Sequence, residues 1–179
     1  MGAAVPEQAP PLGRTRFFLE ALVGSGLFTG YFPIAPATVT SLFVLLPAFF
    51  LARLPAWHAV VTATIFFVGV PVATDLERVW GRDPHRVTID EVVGTLVTFF
   101  YNAVSVWGLG AGFLLWRFFD IVKLPFVDRS QRLPGGWGIM IDDVLAGVCA
   151  NLVLRLGLLL LPVLRFHRWR CCRETRLSR

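Results

Sequence analysis

Charged side chains are scarce in this sequence, and acidic ones are the scarcest. Of 179 residues, 12 are Asp or Glu and 17 are Lys or Arg, whereas 55% are hydrophobic. Three stretches, residues 21–52, 54–74 and 92–116, contain no Asp, Glu, Lys or Arg. A helix needs about 20 mostly apolar residues to cross a bilayer, so these stretches predict at least three membrane-embedded segments. The composition argues against an ordinary soluble domain.

Cysteine and histidine are also rare, which excludes several kinds of site. The three cysteines form no disulfide framework, and Cys171 and Cys172 lack metal-ligand spacing. The three histidines lie far apart in the chain, which argues against zinc and against a histidine phosphatase. Cys149 and Arg155 have the Cys-x5-Arg spacing of cysteine phosphatases, but the intervening "ANLVL" has no glycine to form a phosphate loop. We interpret that match as a coincidence.

The hydrophobic pattern predicts an all-α, polytopic membrane bundle of about four to six helices. There is no strand-period alternation of useful length. Residues 1–16 are expected to form a flexible lead, 17–164 the membrane-embedded domain, and 165–179 a basic tail. The predicted segments are a short amphipathic or re-entrant one over 17–29 and helices near 39–52, 57–77, 90–101, 109–122 and 142–164.

Basic residues cluster in the N-terminal lead, around residues 78–86 and around residues 123–132. By the positive-inside bias these clusters face the cytoplasm. The tail "RFHRWRCCRETRLSR" contains six arginines, which suit either an anionic membrane surface or a solvated, disordered end. Nucleic acid is not an expected partner, because no basic face continues the patch. The sequence does not predict an oligomeric state.

Two acidic pairs occupy equivalent positions in the chain. "TIDEVVG" and "MIDDVLAG" each read as carboxylates that open a helix, Asp90 with Glu91 and Asp142 with Asp143. Helix capping, worth about 0.5 to 2 kcal/mol, explains one acid in each pair but not the second. Carboxylates gathered at one membrane surface would repel each other without a cation, and oxygen ligands suit Mg²⁺ together with a phosphate-bearing partner.

The loop "DIVKLPFVDRSQRLPGGWGIMID" supplies positive charge beside these acids. Lys123, Arg129 and Arg132 are candidate phosphate contacts, and Gly135 and Gly136 would let backbone amides approach an anion. The same residues also suit a plain interfacial turn, so this interpretation depends on the acids nearby.

Three blocks of sequence together resemble the phosphatidylglycerophosphatase A family. They are "GSGLFTGYFPIAPATVTSL", "DPHRVTIDEVVG" and "FFDIVKLPFVDRSQRLPGGWGIMIDDVLAG", which appear in that order between residues 24 and 154. The resemblance implies Mg²⁺-dependent hydrolysis of phosphatidylglycerophosphate to phosphatidylglycerol and inorganic phosphate. It also implies a multi-pass protein of the bacterial inner membrane, in contact with the lipid bilayer, whose active site lies at the cytoplasmic helix ends.

The resemblance carries roles to positions of this chain that match the family's motifs. The predicted catalytic residues are Asp90, Glu91, Asp120, Lys123, Arg129, Asp142 and Asp143. The predicted magnesium ligands are Glu77, Asp83, Asp90, Glu91, Asp142 and Asp143, and the predicted substrate-binding residues are Thr38, Ser41, Arg132, Gly135 and Gly136. Of these, Glu77, Arg129 and Arg132 are included for their charge and position, and the others match the family's motifs. Ala37 and Thr40 replace two glycines of the family pattern, and Leu124 replaces a proline, without removing a candidate ligand.

Several alternatives remain open at this stage. Attack by water and an aspartyl-phosphate intermediate are both compatible with the residues present. A membrane transporter would place its acids near mid-membrane, whereas every acid here except Glu20 is expected at a helix end or in a polar loop. A non-catalytic membrane scaffold, in which the acids only cap helices, is the third possibility.

Overall fold

The computed structural model describes residues 13–81, 84–122 and 133–161. These residues contain six α-helices and one 3₁₀ turn, Thr29–Tyr31, and no β-strand. The helices are α1 (Arg14–Gly24), α2 (Pro36–Leu51), α3 (Pro55–Trp80), α4 (Ile89–Phe99), α5 (Val106–Val122) and α6 (Gly136–Leu160). The predicted all-α class is therefore confirmed for the described residues.

Proline and glycine set several helix boundaries. Pro36 and Pro55 stand in the first turn of α2 and α3, where a missing amide hydrogen costs nothing, so both helices begin slightly earlier than predicted. The predicted segment over residues 17–29 is interrupted after α1. Three consecutive residues, Gly26, Leu27 and Phe28, have φ of 55°, 59° and 66°, a left-handed conformation that ends a right-handed helix.

The last helix corrects the prediction most. It begins at Gly136 and not at Asp142, because Gly135 turns the chain at φ 61° and the amide of Gly136 donates a hydrogen bond to Thr74 Oγ1 at 2.8 Å. Asp142 and Asp143 therefore lie six and seven residues into α6, about 10 Å along its axis. At that depth neither carboxylate can cap the helix, so the capping explanation for this pair is wrong.

Helix α6 is the centre of the bundle and packs against α3, α4 and α5. Its contact with α4 is the most extensive. The two backbones approach closely there, since a Cβ placed on Gly147 would lie 2.6 Å from the carbonyl oxygen of Gly94. The two helices run in the same direction, with Asn151 of α6 bonded to Val97 and Thr98 near the end of α4. Asp143 stands one turn before Gly147, so this crossing brings it to the start of α4.

Two of the described helices, α3 and α6, are long and apolar enough to cross a membrane, with 26 and 25 residues and a mean hydropathy of 1.8 each. Many large apolar side chains point outward, among them Phe67 and Leu159, which are 65% and 69% exposed. Polar residues such as Ser41 and Asn151 are buried instead. An apolar exterior around a partly polar interior is unusual for a soluble monomer.

Candidate active site

The first turn of α4 presents two acids with different surroundings. Asp90 is partly buried, and its Oδ1 accepts a hydrogen bond from the amide of Glu91 at 3.0 Å. Glu91 is only 8% exposed and points into the bundle, where its Oε2 accepts a hydrogen bond from Ser41 Oγ at 3.3 Å. Ser41 on α2 thus contacts an acid of the predicted site, and its contact with substrate stays a prediction.

Arg117 on α5 is the cation of this cluster. Its NH1 group lies 3.0 Å from Glu91 Oε2 and 3.0 Å from Asp120 Oδ2. The guanidinium also lies over the ring of Trp116, with 5.0 Å from its central carbon to the ring centroid. One arginine therefore joins the acid of α4 to the acid of α5 in a largely buried network, where each pair interacts more strongly than at a surface.

The acidic pair of α6 completes the cluster. Asp142 and Asp143 are each 5% exposed. Asp143 lies within electrostatic range of four other carboxylates, those of Asp90, Glu91, Asp120 and Asp142. Its Oδ2 is buried and accepts no hydrogen bond from any described residue. Acids from three helices, separated by up to 53 positions in the chain, thus meet at one end of the bundle.

The electrostatics of Glu91 reflect this crowding. Glu91 lies in α4, which at 11 residues is too short to cross a bilayer. Burial, which disfavours the charged form, raises the pKa of Glu91 to about 7. Arg117 opposes that rise and the negative charge of Asp120 adds to it. A carboxyl group with a pKa near neutrality is typical of functional sites.

The residues present fit a magnesium ion in their chemistry. Carboxylate oxygens are hard ligands, and Mg²⁺ needs only one or two of them beside water and substrate oxygens. The buried Oδ2 of Asp143 is an acceptor that such a cation would satisfy. Among residues 13–81, 84–122 and 133–161, however, no three acidic, histidine or cysteine side chains lie close enough to hold an ion by themselves. Water and phosphate oxygens would have to complete the shell.

Several predicted residues fall outside this cluster or outside the described chain. Glu77, a predicted ligand near the end of α3, is partly buried, and no hydrogen bond or ion pair connects its side chain to the described cluster. Its neighbour Asp75 instead pairs with Arg16 at 2.6 Å and Arg78 at 3.1 Å, joining α1 to α3. Four predicted site residues lie outside the described residues: Asp83, Lys123, Arg129 and Arg132.

The predicted substrate-binding glycines have structural roles in the fold. A Cβ on Gly136 would lie 2.2 Å from the carbonyl oxygen of Val70, so glycine lets α6 approach α3. The Gly136 amide is already bonded to Thr74, and Gly135 has the positive φ of the preceding turn. Thr38 is partly buried on the first turn of α2, with no described bond to the acids. Contacts of these three residues with substrate remain predictions.

Sequence reasoning missed Arg117. The available signal was its position three residues before Asp120, which places both side chains on one face of α5. It is also the charged residue that ends the apolar stretch over residues 92–116. A lone arginine at such a boundary, in phase with an acid already suspected of function, deserves to be included among the candidates.

The fold and the site define a class of helical enzyme in which buried acids from several helices meet at one end of an apolar bundle. The sequence profile of the family described as Phosphatidylglycerophosphatase A matches residues 22–158. The chain therefore belongs to the phosphatidylglycerophosphatase A family, and it is a phosphatase. The family predicted from the three sequence blocks is confirmed.

Individual relatives agree on the kind of chemistry and differ in the named lipid. A protein of Bacteroides thetaiotaomicron with the provisional name phosphatidylinositol-3-phosphatase is 37% identical over 146 residues, covering 76% of this chain and 92% of its own. The Phosphatidylglycerophosphatase A of Escherichia coli is 30% identical over 140 residues, 74% of this chain and 80% of its own. That of Haemophilus influenzae is 37% identical over 97 residues, 52% and 59% of the two chains. No solved structure matches the chain significantly.

Proposed function

We propose that this protein is a Mg²⁺-dependent lipid phosphatase that hydrolyses phosphatidylglycerophosphate to phosphatidylglycerol and inorganic phosphate. Family membership and the names of two relatives support this substrate. The observation that carries the proposal is the convergence of four carboxylates around the buried Asp143, beside Arg117. Such a surplus of buried negative charge is costly to the fold unless a cation compensates it, and a cation held there can bind a phosphate.

We place the protein in the bacterial inner membrane, with the site toward the cytoplasm. The lengths of α3 and α6 and the apolar exterior support a bilayer around the bundle. The acids lie at the end where α3 ends and α4 and α6 begin, and Arg16 and Arg78 lie at that same end. Basic residues on one side favour a cytoplasmic orientation for it. The phosphate of a lipid need then rise only to the helix ends.

The residues of the cluster would bind the metal ion and position one another. The predicted ligands Asp90, Glu91, Asp142 and Asp143 would hold magnesium with one or two carboxylates for each ion, and water and phosphate oxygens would complete the shell. Magnesium, when bound, would neutralise phosphate charge as a Lewis acid. Arg117 keeps Glu91 and Asp120 oriented.

The remaining roles belong to two predicted phosphate contacts and to a carboxylate of the cluster. The predicted Lys123 and Arg129 would neutralise charge that develops on the phosphate oxygens. A cluster carboxylate either accepts the proton of an attacking water or attacks phosphorus itself, giving an aspartyl phosphate that water then cleaves. In the first route the proton taken from water passes to the leaving lipid alcohol. In the second the alcohol takes its proton from a protonated cluster carboxyl, which regains one from the water that cleaves the acyl phosphate, so each route consumes one water and releases the alcohol and phosphate.

A second candidate substrate is a phosphoinositide phosphorylated at position 3. The match to the relative with that name covers 92% of the relative's own length. Both substrates carry a phosphate monoester on the headgroup of a glycerolipid, so the described site is compatible with either. The headgroup next to the phosphate, glycerol or inositol, is what differs.

The experiment is phosphate release by the purified full chain in detergent, with Mg²⁺ or with EDTA. The substrates are phosphatidylglycerophosphate, phosphatidylinositol 3-phosphate and a soluble phosphomonoester. We expect the highest kcat/KM for phosphatidylglycerophosphate and no release in EDTA. A higher kcat/KM for phosphatidylinositol 3-phosphate would make that lipid the substrate in place of phosphatidylglycerophosphate. Undiminished phosphate release in EDTA would contradict the magnesium requirement. No release from any lipid would favour a scaffold or a transporter.

A further inference from the structure

A cavity of about 740 Å³ lies beside the acidic cluster, between α1, α2, α3 and α4. On α2 its wall is formed by Thr40, Phe43, Val44 and Pro47, which recur at the spacing of one helix face. A cavity of this volume is within the usual range for small-molecule sites. None of its wall residues has a role in the proposed chemistry.

The wall of the cavity offers few free polar groups to a ligand, because its threonine hydroxyls are used within the protein. Its three threonines direct their hydroxyl groups to backbone carbonyls of the protein, Thr29 to Gly26 at 2.8 Å, Thr40 to Pro36 at 3.0 Å and Thr64 to Val60 at 2.8 Å. These hydroxyls are therefore already satisfied and leave their methyl groups to the cavity. A polar ligand would lose its hydrogen bonds to water here, whereas a hydrocarbon would lose nothing.

The cavity opens sideways, to the exterior of the bundle. Leu27, Phe43 and Val68 belong to its wall and are 74%, 69% and 46% exposed. In a bundle surrounded by lipid, such an opening leads to the acyl-chain region. A lipid tail could therefore enter without crossing water.

The same cavity touches the site through adjacent residues of two helices. Thr40 lies in the wall, and the Oγ of the next residue, Ser41, lies 3.3 Å from Glu91 Oε2 and 2.8 Å from the carbonyl oxygen of Ala37. On α4, Ile89 and Val92 lie in the wall and flank the two acids Asp90 and Glu91. A tail held in the cavity would fix its headgroup phosphate near the carboxylates, which reduces the entropy lost on reaching the reactive geometry.

We propose that this cavity binds one acyl chain of the glycerolipid substrate and positions its headgroup over the acids. The inference rests on the proposed function and extends it to the tail. It predicts a preference for long-chain substrates that comes from the protein as well as from the bilayer.

The first test is a substitution that fills the cavity. Val68→Trp on α3 should lower kcat/KM for dioleoyl phosphatidylglycerophosphate about tenfold and leave that for the water-soluble dihexanoyl substrate within about twofold. Val60→Trp is the matched control, because Val60 is on the same helix, is 56% exposed and does not line the cavity. Equal rates for Val68→Trp and the parent on the dioleoyl substrate, or equal losses on both substrates, would overturn the proposal.

The second test needs neither a variant nor catalysis. Phosphatidylglycerol with a diazirine near the end of one tail is irradiated with the full chain in nanodiscs, and the labelled residues are mapped by mass spectrometry. We expect the label to concentrate on the cavity segments of α2 and α3. Label spread evenly over outward residues such as Leu152 and Leu159 would mean surrounding lipid only and would overturn the proposal. If the parent releases no phosphate from any lipid, the proposed function fails while this labelling still decides the cavity.

Discussion

Replacing Arg117 by methionine should expose how much the acidic cluster depends on its internal cation. Methionine has a similar length and no charge, so Glu91 and Asp120 would lose the group that now lies 3.0 Å from each of them. The side chains of the three residues are only 10% to 18% exposed, so solvent would compensate little. Lysine at the same position would keep the charge but could not reproduce a planar guanidinium stacked on Trp116.

The magnitude follows from the burial of the network. Removing one partner of a buried ion pair typically costs about 3 to 5 kcal/mol, because the other partner remains as an uncompensated charge. Partial protonation of Glu91, whose pKa is already raised to about 7 by burial, reduces that cost, so we expect about 3 kcal/mol. For a chain of this size that corresponds to a fall in Tm of about 6 to 12 °C.

The assay is thermal unfolding of the purified parent and of Arg117→Met, Glu91→Gln and the double variant, at pH 8 in EDTA. The double variant should recover at least about 1 kcal/mol relative to the sum of the single changes, since each removes the partner of the other. Arg78→Met is the matched control, because Arg78 is 61% exposed where it pairs with Asp75. A Tm of Arg117→Met within about 1 °C of the parent, with additive effects in the double variant, would refute the reasoning.

Three further predictions concern the packing and charge around the site. Gly147→Ala should destabilise the protein by about 2 kcal/mol and lower its activity, because the new Cβ would lie 2.6 Å from the carbonyl oxygen of Gly94. Gly110→Ala is the control: a Cβ there would have no neighbouring atom within 4 Å, so this variant should be neutral or stabilising in the same unfolding assay. Asn151→Ala should lower the free energy of unfolding by about 2 kcal/mol, since the Asn151 amide donates to the carbonyls of Val97, Thr98 and Phe100 at 3.0, 2.9 and 2.8 Å. Leu152→Ala is the control, because Leu152 is 61% exposed. Equal Tm values for Asn151→Ala and the parent would contradict this role. In EDTA the Tm should fall as pH rises from about 4.5 through 7, because the pKa of Glu91 is higher in the folded state and the native protein therefore binds this proton more tightly than the unfolded chain. Glu91→Gln should flatten the dependence of Tm on pH. An unchanged slope in that variant would exclude Glu91 as the source of the dependence.

The acids of the site were predictable because they are rare. In a chain with 12 carboxylates, two adjacent pairs beside apolar helices are a strong signal. Asp90, Glu91, Asp120 and Asp142 do come within electrostatic range of Asp143. The number and approximate positions of the helices were also predictable, since hydrophobic runs and prolines act locally.

What depends on contacts between distant residues was not predictable. Helix α6 begins at Gly136 because Thr74, 62 residues away, accepts the hydrogen bond of the Gly136 amide. No side chain next to Gly136 in the sequence caps the helix, so the local sequence does not indicate this start. The spacing of Arg117 and Asp120 in "LLWRFFD" places both side chains on one face of α5, but the inward direction of that face follows from the packing of α5 beside α4. Glu77 had the right residue type at the right end of α3, yet no described hydrogen bond or ion pair joins its side chain to the cluster.

The central claim is that carboxylates gathered around Asp143 form a magnesium-dependent phosphate site. The most direct measurement is Mg²⁺-dependent phosphate release from phosphatidylglycerophosphate by the parent, by Asp143→Asn and by Asp75→Asn, whose acid lies on α3 outside the cluster. Asp143→Asn should lose at least about a hundredfold in kcat while its Tm stays equal or rises, because a buried repulsive charge is removed from a stable fold. Asp75→Asn should keep nearly full activity. Near-normal turnover of Asp143→Asn, at the same Mg²⁺ concentration, would contradict the account.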